Sequence, residues 1–412
     1  MKLKEILDKQ LSTINYSNEE ISNFKKIADG LIKELKKQKL EAHVGGSLAK
    51  RTIIKSQKIP DIDIFVVFKD EKEIKNLGKI LKKIKTDGKI KEIHGSRDYF
   101  QIIKKEVILE LIPIIKTKNP ALAKNVTDVS LSHVKYVSKK LKENPDLDNE
   151  IKLTKSFVKA QNCYGAEGYI QGFSGYSLEL LVIHFGSFLK FLKNLNKKTI
   201  IDQEKQFPNR KLVMIELNTS KLKSPIILID PTYKFRNASA GLNKETFDKF
   251  IKTSKEFLRN PSLDYFKEKE FSEEEFRNDL TSKDLRYLKV EFNTNKQEGD
   301  IAGTKMKKYF RYISNELNRK GQEIIKNEFL YSGKGKISEG YLLIKEKKEI
   351  ILKGPPVKMK EQAKKFKSNH KKVYRTKKLL YTKEIVSIEN IIKNSKKIEK
   401  EIDVKLIGFK LE

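Results

Sequence analysis

Residues 61–68 read DIDIFVVF. A run this apolar has to fold as a buried strand, yet two acids open it. Side chains alternate along a strand, so Asp61 and Asp63 point to one face while Ile62 and Ile64 point to the other. Two carboxylates that close repel and raise each other's pKa unless a counter-ion intervenes. A divalent metal removes the conflict, and Mg²⁺ is typically held by one or two carboxylates together with substrate phosphates. The plainer reading is an edge strand whose acids face solvent, where most charged side chains are found.

Two further stretches favour the metal. Gly45, Gly46 and Ser47 lie just upstream. Glycines let a backbone approach phosphate closely, and amides and a hydroxyl can donate to it. Lys50 and Arg51 bring positive charge to the same loop, and the sequence leaves open which of them would grip a phosphate. Downstream, Glu110 interrupts the apolar run EVILELIPI. A buried carboxylate is costly unless it is paired or bound to metal. Three carboxylates on neighbouring strands, facing a phosphate loop, suit two-metal phosphoryl transfer.

The organisation of the chain fits such a site. Apolar residues recur at helical spacing over 18–40, then come the glycine turn, a strand over 62–68 and a helix over 72–86. RDYFQII and EVILELIPI alternate as strands, with Pro113 closing the second, and an α/β module ends near 143. Residues 150–192 read as helices, IILIDPTYKFRN as a short strand broken by Pro231, and NKETFDKFIKTSKEFL as helix again. Beyond 267 strands and helices alternate. YLLIKEKKEIIL reads as a hairpin turning at KEKK, PVKMKEQAKKFKSNH as a helix, and KKVYRTKKLLYTKEIV as strand.

At 412 residues the chain is long enough for several domains. Its 88 Lys and Arg against 55 Asp and Glu give a net charge of +33, a field that draws polyanions. Nucleic acid is the default partner. An anionic membrane is the rival, but no basic amphipathic helix stands beside a long apolar span. The one cysteine, Cys163, excludes an internal disulfide and a cysteine-cluster zinc site. MKLKEILDKQ carries no apolar signal core, and the apolar stretch 176–192 contains Glu179, His184 and Lys190. That stretch reads as a buried helix, with Glu179 and His184 structural and bonded to each other or to backbone. The expectation is a cytoplasmic protein with no membrane association.

The Gly-Gly-Ser turn, the Asp-x-Asp strand and the later carboxylate together resemble the polymerase β-like nucleotidyltransferases. TDVSLSH (127–133), the block 153–188 containing LTKSF and CYGAEGYIQGFSGY, IDPTYKFRNASA (229–240) and KGPPV (353–357) resemble the archaeal, class I CCA-adding enzymes in order along nearly the whole chain. The resemblance implies an α+β multidomain protein. A nucleotidyltransferase head (1–143) would be followed by a helical neck that recognises the base (144–266) and a basic α/β body and tail that bind RNA (267–412). It implies addition of C, C and A to the 3′ end of tRNA from CTP and ATP. Asp61, Asp63 and Glu110 would be the catalytic residues and hold Mg²⁺. Gly46, Ser47 and Lys50 or Arg51 would bind the triphosphate, joined by Lys155, Tyr164 and His133, and Arg236 would read the base. The body and tail would clasp the acceptor stem and TΨC arm, and relatives' habits imply a homodimer. The alternatives are a poly(A) polymerase or other terminal RNA nucleotidyltransferase, and a tRNA-binding protein without catalysis.

Several positions depart from the family pattern. Asp61 stands where Glu is usual, Glu110 where Asp is usual, and Tyr233 where DPxD has its second acid. The usual Arg of the 127–133 segment is missing. Singly, His133, Lys155, Tyr164 and Arg236 would pass for ordinary surface or packing residues. KKYFRYI (307–313) and KKVYRTKKLLYTK (371–383) interleave bases and aromatics, a pattern suited to phosphates and stacked bases, or to an element with one face in a core.

Overall fold

The computed structural model describes residues 2–56, 58–95, 97–117, 120, 123, 125–196, 199–278, 280, 284–370 and 372–412. They form two units, Met1–Lys269 and Glu270–Glu412.

The first unit opens with helices α1 (Leu3–Ile14) and α2 (Asn18–Lys37). α2 starts on a capping box in which Ser17 Oγ accepts from the Glu20 amide at 3.1 Å and the Glu20 carboxylate accepts from the Ser17 amide at 2.8 Å. A cap of this kind is worth about 1 kcal/mol. The helix ends before Lys39, whose φ is 62°. Its stripe of Phe24, Ala28, Leu31 and Leu35 packs on one face of a five-stranded sheet.

That sheet comprises β1 (Glu41–Val44), β2 (Asp61–Phe68), β3 (Lys89–Ile93), β4 (Tyr99–Ile103) and β5 (Ile108–Ile115), in the order β1-β2-β5-β4-β3. Only β2 and β5 run parallel. Ile62, Ile64, Val66, Leu109 and Leu111 fill the core beneath α2, so the residues between them project from the opposite face. A four-residue helix, α3 (Gly46–Ala49), links β1 towards β2.

Two details differ from the expectation. The single helix over 72–86 is two short ones, α4 (Glu71–Ile74) and α5 (Leu77–Leu81). Asn76 and Gly78 at the break are weak helix formers, and Gly78 faces Phe100, whose Cζ would lie 3.0 Å from an added Cβ. Pro113 does not close β5, which continues to Ile115. The amides of Ile108 and Lys116 bond the β2 side, so Pro113 turns its missing N–H the other way, where pairing with β4 has ended at Leu111. Arg97 and Asp128 cover that side: Arg97 donates to the Pro113 carbonyl at 3.2 Å, and the Ile115 amide donates to Asp128 at 2.8 Å. Proline is tolerated where the ladder lacks a partner.

The rest of the first unit is built on α6 (Ser130–Glu143), α7 (Leu147–Ala160), α8 (Gly175–Phe185), α9 (Phe188–Asn194), α10 (Arg210–Glu216) and α11 (Lys244–Arg259). Phe157, Phe188, Phe191, Phe250 and Phe257 form its core, and Ile6 of α1 is buried in the same cluster. The expected helical region also holds a small sheet of β6 (Ile200–Ile201), β7 (Ile227–Asp230) and β8 (Tyr233–Asn237). Pro231 and Thr232 form the turn of the β7–β8 hairpin rather than a simple break. Among the described residues no single helix is long and apolar enough to cross a membrane. The α8–α9 pair passes by length and composition but bends by 91°, and its Leu178, Leu181, Phe188 and Phe191 lie in the aromatic core.

In the second unit α12 (Glu273–Arg277) precedes β9 (Leu285–Asn293), and α13 (Asp300–Arg319) precedes β10 (Glu323–Leu330) and β11 (Ile337–Lys345). Then come β12 (Glu349–Pro356), α14 (Lys360–Asn369), β13 (Val373–Arg375), β14 (Leu379–Ile385), α15 (Ile388–Ser395), α16 (Glu399–Ile402) and β15 (Lys405–Leu411). β10-β11-β9-β15 form one sheet and β12-β14-β13 another. YLLIKEKKEIIL is therefore not a hairpin: β11 pairs with β10 and β9, and β12 with β14. KKYFRYI lies on α13, where Tyr309, Phe310 and Ile313 are core residues, so these aromatics are spent on packing. In the second basic run Tyr374 and Tyr381 stack across β13 and β14 at 5.3 Å; Lys371 lies outside the described residues.

Candidate active site

The strand register gathers the three predicted acids. Asp63 stands opposite Glu110 in the parallel β2–β5 pair, and Asp61 is two residues earlier on the same face. Asp61 is exposed, and the other two are half-buried. Burial lifts the Asp63 carboxyl to about 6, with Lys50 pulling against the shift and Asp61 adding to it. Burial and then the Asp63 charge lift Glu110 to about 7, although Gln101 donates to it at 2.7 Å. Among the described residues, the only acidic or histidine trio with ligand atoms within 4.8 Å of one another is the exposed Glu92, His94 and Asp98. Asp61, Asp63 and Glu110 feel each other's charge but do not converge on one point.

The glycine turn is fitted to this strand. The Gly45 amide donates to the Asp63 carbonyl at 2.8 Å. Gly46 has φ +56°, and an added Cβ would lie 1.5 Å from Asp63 Oδ2. Any other residue there would displace the carboxylate. The space beside Asp63 and an all-oxygen set of hard donors both fit Mg²⁺.

Lys50 and Arg51 part company. Arg51 has φ 61° and points outward, 75% exposed along its side chain, with Asp148 at 3.5 Å. Lys50 turns inward and donates to Glu179 at 2.6 Å. Lys155 of α7 donates to the other Glu179 oxygen at 2.7 Å and to Thr52 Oγ1 at 2.8 Å, and Thr52 also donates to Glu179 at 2.8 Å. Glu179 is fully buried. Burial alone would push its carboxyl up, but Lys155 and Lys50 overcome this and hold it at about 2. The expected Glu179–His184 or backbone bond is absent among the described residues, because Glu179 faces the site and His184 packs edge-on to Phe185. Ser47 is half-buried beside Gly46. Tyr164 packs its hydroxyl against Gly175, where an added Cβ would come within 2.7 Å.

A second cluster centres on Asp230, buried at the end of β7. Arg236 donates to it at 2.6 Å, Tyr176 at 3.1 Å, and the Thr232 hydroxyl at 2.7 Å; His133 Nε2 lies 3.0 Å away. Against the cost of burial, His133 and then Arg236 hold the Asp230 carboxyl well below its ordinary range. His133 stacks on Tyr176 at 4.0 Å, and the Lys50 ammonium lies 6.0 Å from the same ring, so His133 sits between Asp230 and the lysines. Arg236 lines a cavity of about 380 Å³ together with Ser174, Lys221, Tyr233 and Asn237. A larger depression of about 700 Å³, lined by Lys26, Glu34, Leu31 and Leu109, opens on the α2 side of the sheet, away from the acids.

Residues 149–267 match the model of the second domain of tRNA nucleotidyltransferases, and residues 1–132 that of the Second Messenger Oligonucleotide or Dinucleotide Synthetase domain. The CCA-adding enzyme of Nanoarchaeum equitans is 34% identical over 74% of this chain and 75% of its own length. That of Methanocaldococcus jannaschii is 30% identical over 90% and 85%, and that of Thermococcus gammatolerans 29% over 94% and 87%. The chain belongs to the CCA-adding enzyme family. The nucleotidyltransferase fold also recurs at 12% identity in a cytoplasmic RNA terminal U-transferase (TM-score 0.51, 66% of this chain and 99% of that one). It recurs again in the Cid1 poly(U) polymerase solved with Mg and 3′-dATP (TM-score 0.50, 64% and 98%).

As a CCA-adding enzyme family member, the chain meets its departures from the family pattern with local solutions. Beside the 127–133 segment, Arg97 from the loop before β4 pairs with the buried Asp128 and donates to Thr127 at 3.0 Å. Tyr233 leaves Arg236 without a second acid, and Asp230 carries that bond alone among the described acids. Sequence reasoning missed Asp230 and the partners of Glu179. The available signal was an acid ending the apolar run IILID and another inside an apolar helix.

Two tests arise here. Asp230→Asn removes the charge that aims Arg236, and KM for both CTP and ATP is expected to rise about tenfold, the worth of one charge-assisted hydrogen bond, in steady-state assays. Asp63 and Glu110 have folded pKa values above their unfolded ones of 3.8 and 4.5. Their contribution to the fold is therefore complete below about pH 4 and lost as pH rises through 6 to 7. Metal-free Asp63→Asn should melt higher than the unmodified protein at pH 8 and lose that advantage at pH 4 in a calorimeter.

Proposed function

We propose that this protein adds C, C and A to the 3′ end of tRNA from CTP and ATP, releasing pyrophosphate at each step. The observation that carries the reading is Asp63 registered against Glu110, with Asp61 on the same face, in a chain of the CCA-adding family. Asp61, Asp63 and Glu110 would hold Mg²⁺, which supplies Lewis-acid neutralisation of charge on the attacking and leaving oxygens. Lys50 and Lys155 bind the triphosphate, their two charges offset by one from Glu179, so the group stays cationic. Ser47, the backbone at Gly46 and Tyr164 complete the phosphate seat. Arg51, paired with Asp148, is left out of it. Arg236, aimed by Asp230, presents a planar fork to the incoming base, which suits a group that must accept both C and A. His133 and Tyr176 buttress that carboxylate. The tRNA 3′-hydroxyl attacks the α-phosphate in line, and no serine or cysteine nucleophile is needed.

In this reading residues 1–143 are the catalytic head, 144–266 the neck that reads the base, and 267–412 the body and tail on the acceptor stem and TΨC arm. Shape and phosphate contacts serve there, since A-form RNA hides its major groove. The protein works in the cytoplasm, and a homodimer follows by analogy with relatives. Labelled CTP supplied with a tRNA lacking its CCA should be incorporated only with Mg²⁺, while the same tRNA ending in CCA should accept none. Equal labelling of both tRNAs would refute the reading.

A further inference from the structure

Of the two stretches that interleave bases and aromatics, 307–313 is spent in a core. The second, from Lys372 to Lys383, is not. It holds Lys372, Arg375, Lys377, Lys378 and Lys383 and no acid. It folds as β13, a turn and β14, with Tyr374 directly opposite Tyr381 and Lys353 of β12 opposite Tyr381 on the other side. Leu380 and Thr382 of β14 are buried, whereas Leu379, Lys383 and Ile385 are exposed, so alternation sets the latter on an outer face. The inner face rests on α14, where an added Cβ at Gly354 would lie 2.7 Å from the Phe366 ring. The outer face carries Lys353, Tyr381 and Tyr374 in one row and Ile351 and Lys383 in the next. Ile385 is 90% exposed and Tyr374 41%.

Shape and charge together select an occupant for this face. The two tyrosine rings lie 5.3 Å apart and within 16° of parallel, and β13 is the edge strand, so the stack ends on Tyr374. Exposed apolar groups gathered on one face mark a contact surface, and flat rings among cations suit nucleic-acid bases, each of which has a π-face. The only acid that the three strands set on this face is Glu349, and Lys383 offsets it at 2.7 Å. Lys353 and the turn lysines are left in excess. That sign repels a second copy of the face and draws phosphate. Bases paired in an A-form stem offer no free ring, so stacking requires an unpaired one. We propose that this face is a stacking platform for an unpaired base in a loop of the tRNA, with Tyr374 against the base and Lys353 on the backbone of the same loop. The partner rests on the CCA-adding reading above, which commits the 3′-terminal nucleotides to the acids of β2 and β5 and leaves the loops as the source.

Tyr374→Leu keeps an apolar side chain on the edge strand and removes the ring; Tyr374→Phe keeps the ring. The full chain is titrated across a salt series with three RNAs: a tRNA lacking CCA, a blunt RNA duplex, and that duplex with a single-stranded 3′ extension. For Tyr374→Leu the tRNA Kd should rise about tenfold, as for loss of one stacked base. Its log–log salt slope should not change, because no phosphate contact is removed. Both duplexes should bind within about twofold of the unmodified protein, and Tyr374→Phe should bind tRNA as the unmodified protein does. Lys353→Gln should instead lower the tRNA slope by about one. An unchanged tRNA Kd in Tyr374→Leu, or an unchanged slope in Lys353→Gln, would overturn the proposal. So would an equal loss on the extended duplex, which would assign the ring to the RNA 3′ end. So would a dimer in sedimentation that Tyr374→Leu splits with tRNA affinity intact, which would give the face to a second copy. Should Tyr374→Leu fail to fold by thermal melting, Tyr374→Thr carries the same comparison. If the unmodified protein binds tRNA but incorporates no CMP, the CCA-adding reading fails, while the three titrations still decide what Tyr374 contacts.

Discussion

Asp63→Asn is expected to lower CMP incorporation by about a thousandfold, the equivalent of several kcal/mol of transition-state charge stabilisation at about 1.36 kcal/mol per factor of ten. The side chain keeps its size and its place above Gly46, so the β2–β5 register survives, while one of three negative charges is lost. Asp63 is the middle acid, facing Glu110 across the strands and adjacent to Asp61, and no other described carboxylate shares that register. Affinity for tRNA should change by less than about twofold, because RNA affinity comes chiefly from Lys and Arg contacts with the backbone. A variant that keeps even a tenth of the activity would reduce these acids to bystanders. Loss of activity with retained, salt-sensitive tRNA binding disposes of the reading in which the protein only binds tRNA.

Glu179→Ala should be the most destabilising single change at the site. It strands Lys50 and Lys155 in a buried place with their common partner gone, and breaking a buried pair in this way costs about 3–5 kcal/mol. Over a unit of this size that corresponds to a fall in Tm of about 10 °C, readable by calorimetry, with incorporation lost in parallel. Glu179→Gln keeps the shape but turns one accepting oxygen into a donating NH2, so it loses the charge and at least one of the bonds from Lys50, Lys155 and Thr52, and it should fall between. The pH dependence has a definite sign. The folded pKa of Glu179 is depressed to about 2 from 4.5, so its contribution is complete above the unfolded value and is lost as pH falls through 4.5 towards 2. Unchanged stability in Glu179→Ala would mean that the lysines find other partners and that the network is incidental.

The parts of the site that lie on one strand or on one local turn were legible in the sequence. Alternation alone put Asp61 and Asp63 on one face, and Glu110 announced itself as an acid in an apolar run. What the sequence could not carry were partnerships between distant segments. Glu179 reads as an oddity within an apolar helix until the fold brings Lys50, 129 residues away in the chain, to 2.6 Å. Asp230 looks like the end of a strand until His133, 97 residues away, and Arg236 both reach it. That Lys50 turns inward and Arg51 outward goes with the left-handed backbone at Arg51, which composition does not encode. The same limit governs the fold. KEKK between two apolar runs is good hairpin chemistry, but β11 and β12 each found a better partner elsewhere, and tertiary pairing overrides a local turn preference. The bases and aromatics of 307–313 suggested RNA contacts, whereas helical periodicity put Tyr309 and Phe310 in the core.

The most direct test of the central claim is to sequence the 3′ ends formed when the protein acts with Mg²⁺, CTP and ATP on a tRNA that lacks its last three nucleotides. The account predicts products ending in CCA and no longer. Runs of a single nucleotide, or tails on an unrelated RNA, would contradict it.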